Sequence, residues 1–245
     1  MDILYVVGTG SLWQDNELRY SLRCLAQYGI NVGRVFIVGH KPAFVSDEVT
    51  HIPCDDPYDM AHKNILHKVL YAIEHSDIAP HFLISSDDHF YINFTDFDKL
   101  PVYYRNLTIP DGIPFNQQTN PYFHSLVETR KLLERHGLPI FQTNPHCNTH
   151  FDVEMYRAHK DIFDECFTLK HGGELNCVMG NLLIAAGAQP EFFHDSKVSG
   201  KYNTQAAFMA RIQDANCVSG TPRIGNTYLA NWLIRHFPNK CRFEK

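Results

Sequence analysis

The chain has 245 residues, 44% hydrophobic and 20% charged, with a net charge of −5 when the histidines are neutral. That composition supports one substantial core, excludes a disordered chain, and makes no global electrostatic case for nucleic acid, although a local basic patch would still bind phosphate. Seven cysteines, odd in number and never spaced C-x-x-C, argue against a disulfide framework and against a zinc knuckle.

In chain order, ILYVVG (3–8) is a continuous apolar run ending at glycine, the pattern of a strand covered on both faces. Asp15 or Asn16 can cap a helix over ELRYSLRCLAQYG, in which Leu18, Leu22 and Leu25 repeat at helical spacing and Gly29 is the stop. RVFIVG (34–39) and VTHIPC (49–54) read as strands, KNILHKVLYAIEH (63–75) as an amphipathic helix, and HFLISS (81–86) as a fourth strand. This alternation predicts a mainly parallel sheet flanked by helices, whose ligands bind beyond the carboxyl ends of the strands. The stretch 93–121, with its prolines and mixed polarity, reads as the most mobile. Beyond it, helices are predicted at 122–137, 158–167, 174–188 and 227–237, an extended irregular stretch at 139–156, and a strand at 190–195. No linker or repeat divides the chain, so residues 1–245 are expected to form one α/β domain. No apolar run approaches the roughly 18 residues of a membrane span, and the start is too short and too acidic for a signal peptide, so a cytoplasmic location is expected.

The most informative stretch is SSDDHF (85–90), which ends the fourth predicted strand. Two adjacent carboxylates repel each other, and burying them costs several kcal/mol each, roughly, unless a cation meets them. Asp87 and His89 alternate onto one face of an extended segment, with Asp88 beside them, and hard carboxylates with one imidazole suit Mn²⁺ or Mg²⁺. Gly8, Thr9 and Gly10 follow the first strand; Trp13 breaks the dinucleotide fingerprint, but the loop still offers backbone N–H groups to a nucleotide. Arg19 and Arg23, one helical turn apart, share a face that could meet phosphate or pair with acids. In FFHDSKVSGKY, His194, Lys197 and Lys201 are spaced to converge on one anion. His146, His150, Asp152 and Glu154 concentrate in NPHCNTHFDVEMY, where Asp152 or His146 could take a proton from a hydroxyl. A metal-dependent hydrolase using His146, His150 and Asp152 is the reading from another class. Glu174 stands at a predicted helix start, where an acid also suits the helix dipole.

NELRYSLRCLAQYG, RVFIVG and SSDDHF, followed by HCNTHFDVEMYRAHKDIF and HDSKV, resemble the blocks of Stealth-type sugar-phosphate transferases and their small phage and bacterial relatives. Ser86 stands where that family has Asn before its paired acids. The resemblance covers roughly residues 3–202 and implies a GT-A-like (Rossmann-like) fold using a nucleotide-activated sugar, a UDP-sugar foremost, and a divalent metal. Residues 1–92 would be the nucleotide-binding half and 93–245 the acceptor-side half. It further implies that Asp87, Asp88, His89 and His194 hold the metal, that Lys197 and Lys201 neutralise the diphosphate, and that Asp152, His146 or Glu174 serve the acceptor. The acceptor would be a glycan or a hydroxymethylated DNA base; no protein partner is evident. Either the sugar or, as in Stealth enzymes proper, a sugar 1-phosphate would move.

Overall fold

Strands that are apolar along their whole length must be covered on both faces, and this chain does so with helices on each side of one central sheet. The computed structural model describes residues 1–199, 202, 204–221 and 223–245. The elements are β1 (Asp2–Val7), α1 (Asn16–Tyr28), β2 (Gly29–Ile30), β3 (Val35–Gly39), β4 (Val49–Ile52), α2 (Ala61–His75), β5 (His81–Ser85) and β6 (His89–Tyr91). They continue with β7 (Thr95–Asp96), β8 (Val102–Tyr104), α3 (Pro121–Arg135), β9 (Thr149–Asp152), α4 (Val153–Ala158), α5 (Lys160–Thr168) and α6 (Leu175–Ala185). The last four are β10 (Pro190–Phe192), α7 (Gln205–Ile212), β11 (Cys217–Ser219) and α8 (Tyr228–His236).

The sheet order is β4-β3-β1-β5-β9. The first four strands are parallel, with Tyr5 opposite Ile37 on one side and Ser85 on the other. β9 closes the edge antiparallel, placing Ile84 opposite Thr149 and His81 opposite Asp152. The fold is thus the expected α/β class with a mainly parallel sheet. Alternate side chains enter two cores. Leu4, Phe36, Val38, Phe82 and Ile84 pack under α2, α5 and α6. Ile3, Tyr5, Val35, Ile37 and Leu83 pack under α1 through Leu18, Leu22 and Leu25. Each such fully buried aliphatic chain contributes about 1.5–3 kcal/mol relative to exposure. Gly39 ends β3 with φ +102°, and a Cβ there would lie 2.2 Å from the Val7 carbonyl oxygen, so only glycine lets the two strand ends close up.

Chain order also places the crevice. From β1 the chain moves out one side to β3 and β4, then returns through α2 to β5 on the other side of β1. The loops leaving β1 and β5 therefore diverge, and a crevice opens at their carboxyl ends.

Several local expectations change in the folded chain. Neither Asp15 nor Asn16 caps α1 with its side chain; Asp15 sits in the left-handed region at φ 58°. The Ser11 hydroxyl organises this turn instead, accepting from the N–H groups of Trp13 (3.2 Å) and Asp15 (2.8 Å). The stretch 93–121 holds β7, β8 and the fully buried Phe97 and Ile109, because these side chains complete neighbouring cores. The irregular stretch 139–156 resolves at its end into β9 and α4. α7 and β11, which sequence periodicity did not reveal, join α8 and β6 in a third core around Phe90, Phe208, Val218 and Leu233. That core explains why the chain turns apolar again after the acidic pair. Among the described residues no helix is long and apolar enough to cross a membrane.

Candidate functional site

A cleft of about 480 Å³ opens at the carboxyl ends of β1 and β5. Its walls include Gly8, Gly10 and Ser11 from the loop after β1, and Ser86, Asp87 and Asp88 from the turn after β5. Asn64 and Lys68 of α2, the acids Glu17 and Asp56, and Lys197 from the late segment also line it. Thr9, expected with its two glycine neighbours, is not part of the lining. The glycines leave open space where a Cβ would stand, so backbone faces the cavity on that side.

The turn carrying the acids is tied down from behind. β6 pairs antiparallel with β11, His89 opposite Ser219. The Ser21 hydroxyl of α1 donates to the His89 carbonyl at 2.6 Å and shares a 3.0 Å hydrogen bond with the Tyr5 hydroxyl. The His89 ring is buried, and its Nδ1 accepts from the Ser86 N–H at 3.3 Å. Burial pushes it down to about 4, against the pull of Asp88. His89 therefore shapes the turn and lies behind the cleft rather than in its lining.

Asp87 is the electrostatic centre of the site. Burial raises its carboxyl from the ordinary 3.8 to about 7, with Asp88, Glu17 and Asp15 adding to the same direction. A carboxyl kept from ionising by burial first and by its neighbours' negative charge next is a place where a cation would be stabilised. Asp87 and Asp88 supply the hard oxygen donors that Mn²⁺ or Mg²⁺ prefers, and Mg²⁺ commonly takes one or two carboxylates and completes its shell with phosphate oxygens and water. The fit is with these two carboxylates and not with the four-residue set expected. His194 is exposed, its ring edge-on to Phe192 at 4.9 Å, and does not line the cleft. Among the described residues, no three His, Cys, Asp or Glu side chains converge as a metal cage.

Among the described residues, two cations line the cleft. Lys68 was not singled out from the sequence, although a lysine on the apolar face of α2 was a signal. It is 4% exposed, with Nζ 2.6 Å from Asp56 Oδ1 and donating to the Val7 carbonyl at 3.1 Å. Lys197 is the other. Its segment runs along β11, the Val198 N–H donating to the Ser219 carbonyl at 2.8 Å and the Ser196 hydroxyl to the Cys217 carbonyl. Ser196 and Val198 are buried, so the residue between them is turned to the cleft. Lys197 Nζ lies 3.3 Å from His146 Nε2, and His146 Nδ1 lies 2.8 Å from Asp195 Oδ1. Asp195 Oδ2 accepts from Arg105 at 3.1 Å. Burial works to raise the Asp195 carboxyl, but His146, the Lys197 N–H and Arg105 outweigh it and hold it well below the usual carboxylate range. Asp195 and Arg105 also escaped the sequence reading; the signal was the acid two residues before Lys197.

The remaining expected residues are placed elsewhere. Arg23, expected to meet phosphate, is buried and bidentate to Glu244 at 2.6 and 2.9 Å, and also donates to the Phe237 carbonyl. Arg19 lies over the Phe44 ring and 3.8 Å from the same carboxylate. Asp152 caps α4 by accepting from the Met155 N–H at 2.8 Å. Because β9 is antiparallel, Asp152 sits opposite His81, at the end of β5 away from the cleft, about 15–20 Å from the acidic turn at strand rise. His150 is engaged with the Leu100 carbonyl and His81, so His146, His150 and Asp152 do not meet as a hydrolase would need. Glu174 is buried as the cap of α6, accepting from the Cys177 N–H, and burial raises its carboxyl. Lys201 lies outside the described residues.

No protein-family model matches the chain, and no curated protein matches it in sequence. Among solved structures it is similar to the galactosyltransferase LgtC in complex with donor and acceptor sugar analogues, at 12% identity, covering 98% of this chain and 96% of that one, with a TM-score of 0.49. An active-site mutant of LgtC is similar at 11% identity, 96% and 94% coverage and a TM-score of 0.48.

Proposed function

We propose that the chain is a GT-A-like glycosyltransferase that moves a sugar from a nucleoside diphosphate donor, a UDP-sugar in the first instance, to an acceptor hydroxyl on a glycan or a modified DNA base. The observation that carries this reading is one cleft, at the carboxyl ends of β1 and β5, lined by both the Asp87–Asp88 carboxylate pair and the Lys197 ammonium. A free phosphate needs no carboxylates, and a lone metal ion needs no lysine. A diphosphate bridging a divalent cation to a protein cation uses both.

The cleft falls within the roughly 300–1,000 Å³ of small-molecule sites. Asp87 and Asp88 would hold Mn²⁺ or Mg²⁺, which when bound acts as a Lewis acid toward the leaving diphosphate. The loop of Gly8 and Gly10 and the first turns of α2 form the wall on which a nucleoside would rest, so the nucleoside would lie on the half 1–92 while Lys197 reaches the diphosphate from the other half. Lys197 supplies positive charge where the leaving group gains negative charge, an interaction that favours the transition state over the ground state. Transfer of a sugar 1-phosphate, as the Stealth-type resemblance implies, would use the same donor geometry. It differs in the bond that breaks: the anhydride P–O bond rather than the sugar C–O bond.

The test is calorimetric. Nucleoside diphosphate should bind the wild-type chain more tightly with Mn²⁺ than without it, and Asp87→Ala should remove the gain. Equal wild-type affinity in both conditions overturns the reading.

A further inference from the structure

We infer that His146 is a positioning residue, a neutral imidazole in its Nδ1–H tautomer that holds the Lys197 ammonium at the cleft and is thereby withdrawn from acting as an acceptor base. Two contacts with opposite demands specify this state. An ionised carboxylate only accepts hydrogen bonds, so the 2.8 Å contact with Asp195 Oδ1 requires the imidazole proton on Nδ1. An ammonium only donates, so the 3.3 Å contact with Lys197 Nζ requires a lone pair on Nε2. Only the neutral Nδ1–H ring satisfies both.

The carboxylate that sets the tautomer is itself fixed. Asp195 accepts from the Lys197 N–H at 3.0 Å and from Arg105 at 3.1 Å, so the acid and the lysine backbone are one unit. Arg105 follows β8 and His146 precedes β9, which means that two separate parts of the chain brace a single lysine against the cleft wall. With one N–H directed to His146, Lys197 keeps two for an anion. A flexible four-carbon side chain is thus ordered before the ligand arrives, which lowers the entropic cost of binding. The same lone pair that orders the lysine is no longer open to a hydroxyl proton, so the base role expected of His146 does not fit this arrangement.

What Lys197 meets rests on the donor reading above; the state of His146 does not. Nitrogen-15 NMR of the histidine-labelled wild-type chain at neutral pH should show one ring, identified by its loss in His146→Gln, with a protonated Nδ1 and an unprotonated Nε2. Lys197→Met should shift that Nε2 resonance. An Nε2–H tautomer or an imidazolium overturns the inference, and if His146→Gln does not fold the ring is assigned instead by through-bond backbone-to-side-chain correlation in the uniformly labelled wild-type chain, so a misfolded variant does not protect it. The second arm titrates uridine diphosphate with Mn²⁺. Lys197→Met should weaken binding by about 10-fold or more, as for a charged hydrogen bond, and His146→Gln by less. The double variant should bind no more weakly than Lys197→Met alone. Additive losses overturn the positioning role while leaving the donor reading intact. A wild-type chain that binds no nucleoside diphosphate removes the donor reading, and the tautomer then decides the inference by itself.

Discussion

Replacing Asp87 by Asn should stabilise the empty protein at alkaline pH while abolishing its response to metal. The carboxyl lies at about 7 in the folded chain against an ordinary 3.8, through burial first and the charges of Asp88, Glu17 and Asp15 next. Because the folded value is raised, the unfolded chain releases this proton first as pH climbs. The stability tied to Asp87 is therefore complete below about pH 4 and is lost as pH rises to about 7. The interval between 3.8 and about 7 corresponds to about 4 kcal/mol as a ceiling. Between pH 5 and pH 8 about 2.6 kcal/mol of that interval is sampled, and because Asp87 is only half-buried in an open cleft, solvent screening reduces the expected difference to about 1–2 kcal/mol. Asn keeps the shape and removes the charge. Thermal or urea unfolding of both proteins, without divalent metal, at pH 5 and pH 8 measures the effect. The variant should gain relative to wild type on going to pH 8, by roughly 2–8 °C for a domain of this size. Saturating Mn²⁺ should then raise the wild type and leave the variant unchanged, since only a ligand that binds the folded state shifts its stability. Parallel pH profiles for the two proteins would refute the reasoning, because they would mean that the carboxylate is not destabilised by its surroundings.

The nucleotide released during transfer separates the two chemistries. Mass analysis should find the nucleoside diphosphate, whereas monophosphate alone, with an authentic acceptor present, would establish sugar-phosphate transfer. Arg23→Ala should cost about 3–5 kcal/mol in chemical denaturation, since it leaves the fully buried Glu244 carboxylate without its bidentate partner. The same variant should bind nucleoside diphosphate like wild type, because Arg23 is spent on Glu244 and Phe237 away from the cleft; a selective loss of affinity in a folded variant would restore the phosphate role expected of it.

Much of the fold of residues 1–92 was legible because its signals are local. Unbroken apolar strands such as 3–8 and 34–39, separated by helices with apolar residues at three- and four-residue spacing, specify a covered parallel sheet whatever else the chain does. The acidic pair was legible for the same reason: two carboxylates at the end of a buried strand conflict with the strand's own preference for burial, and that conflict marks the strand end as a candidate site. Partnership at long range was not legible. Nothing near Arg23 shows that its charge is taken by Glu244, 221 residues later. Nothing near Asp152 shows that β9 runs antiparallel, and that one reversal carries the residue from the mouth of the sheet to its far end. His89 alternates with Asp87 as a shared ligand should, yet pairing of β6 with β11 draws the ring into the protein. Periodicity says which face of a segment is buried. Which segment does the burying, and which charge ends beside which, follows only when the whole chain packs, and that packing joined Asp195, His146 and Lys197.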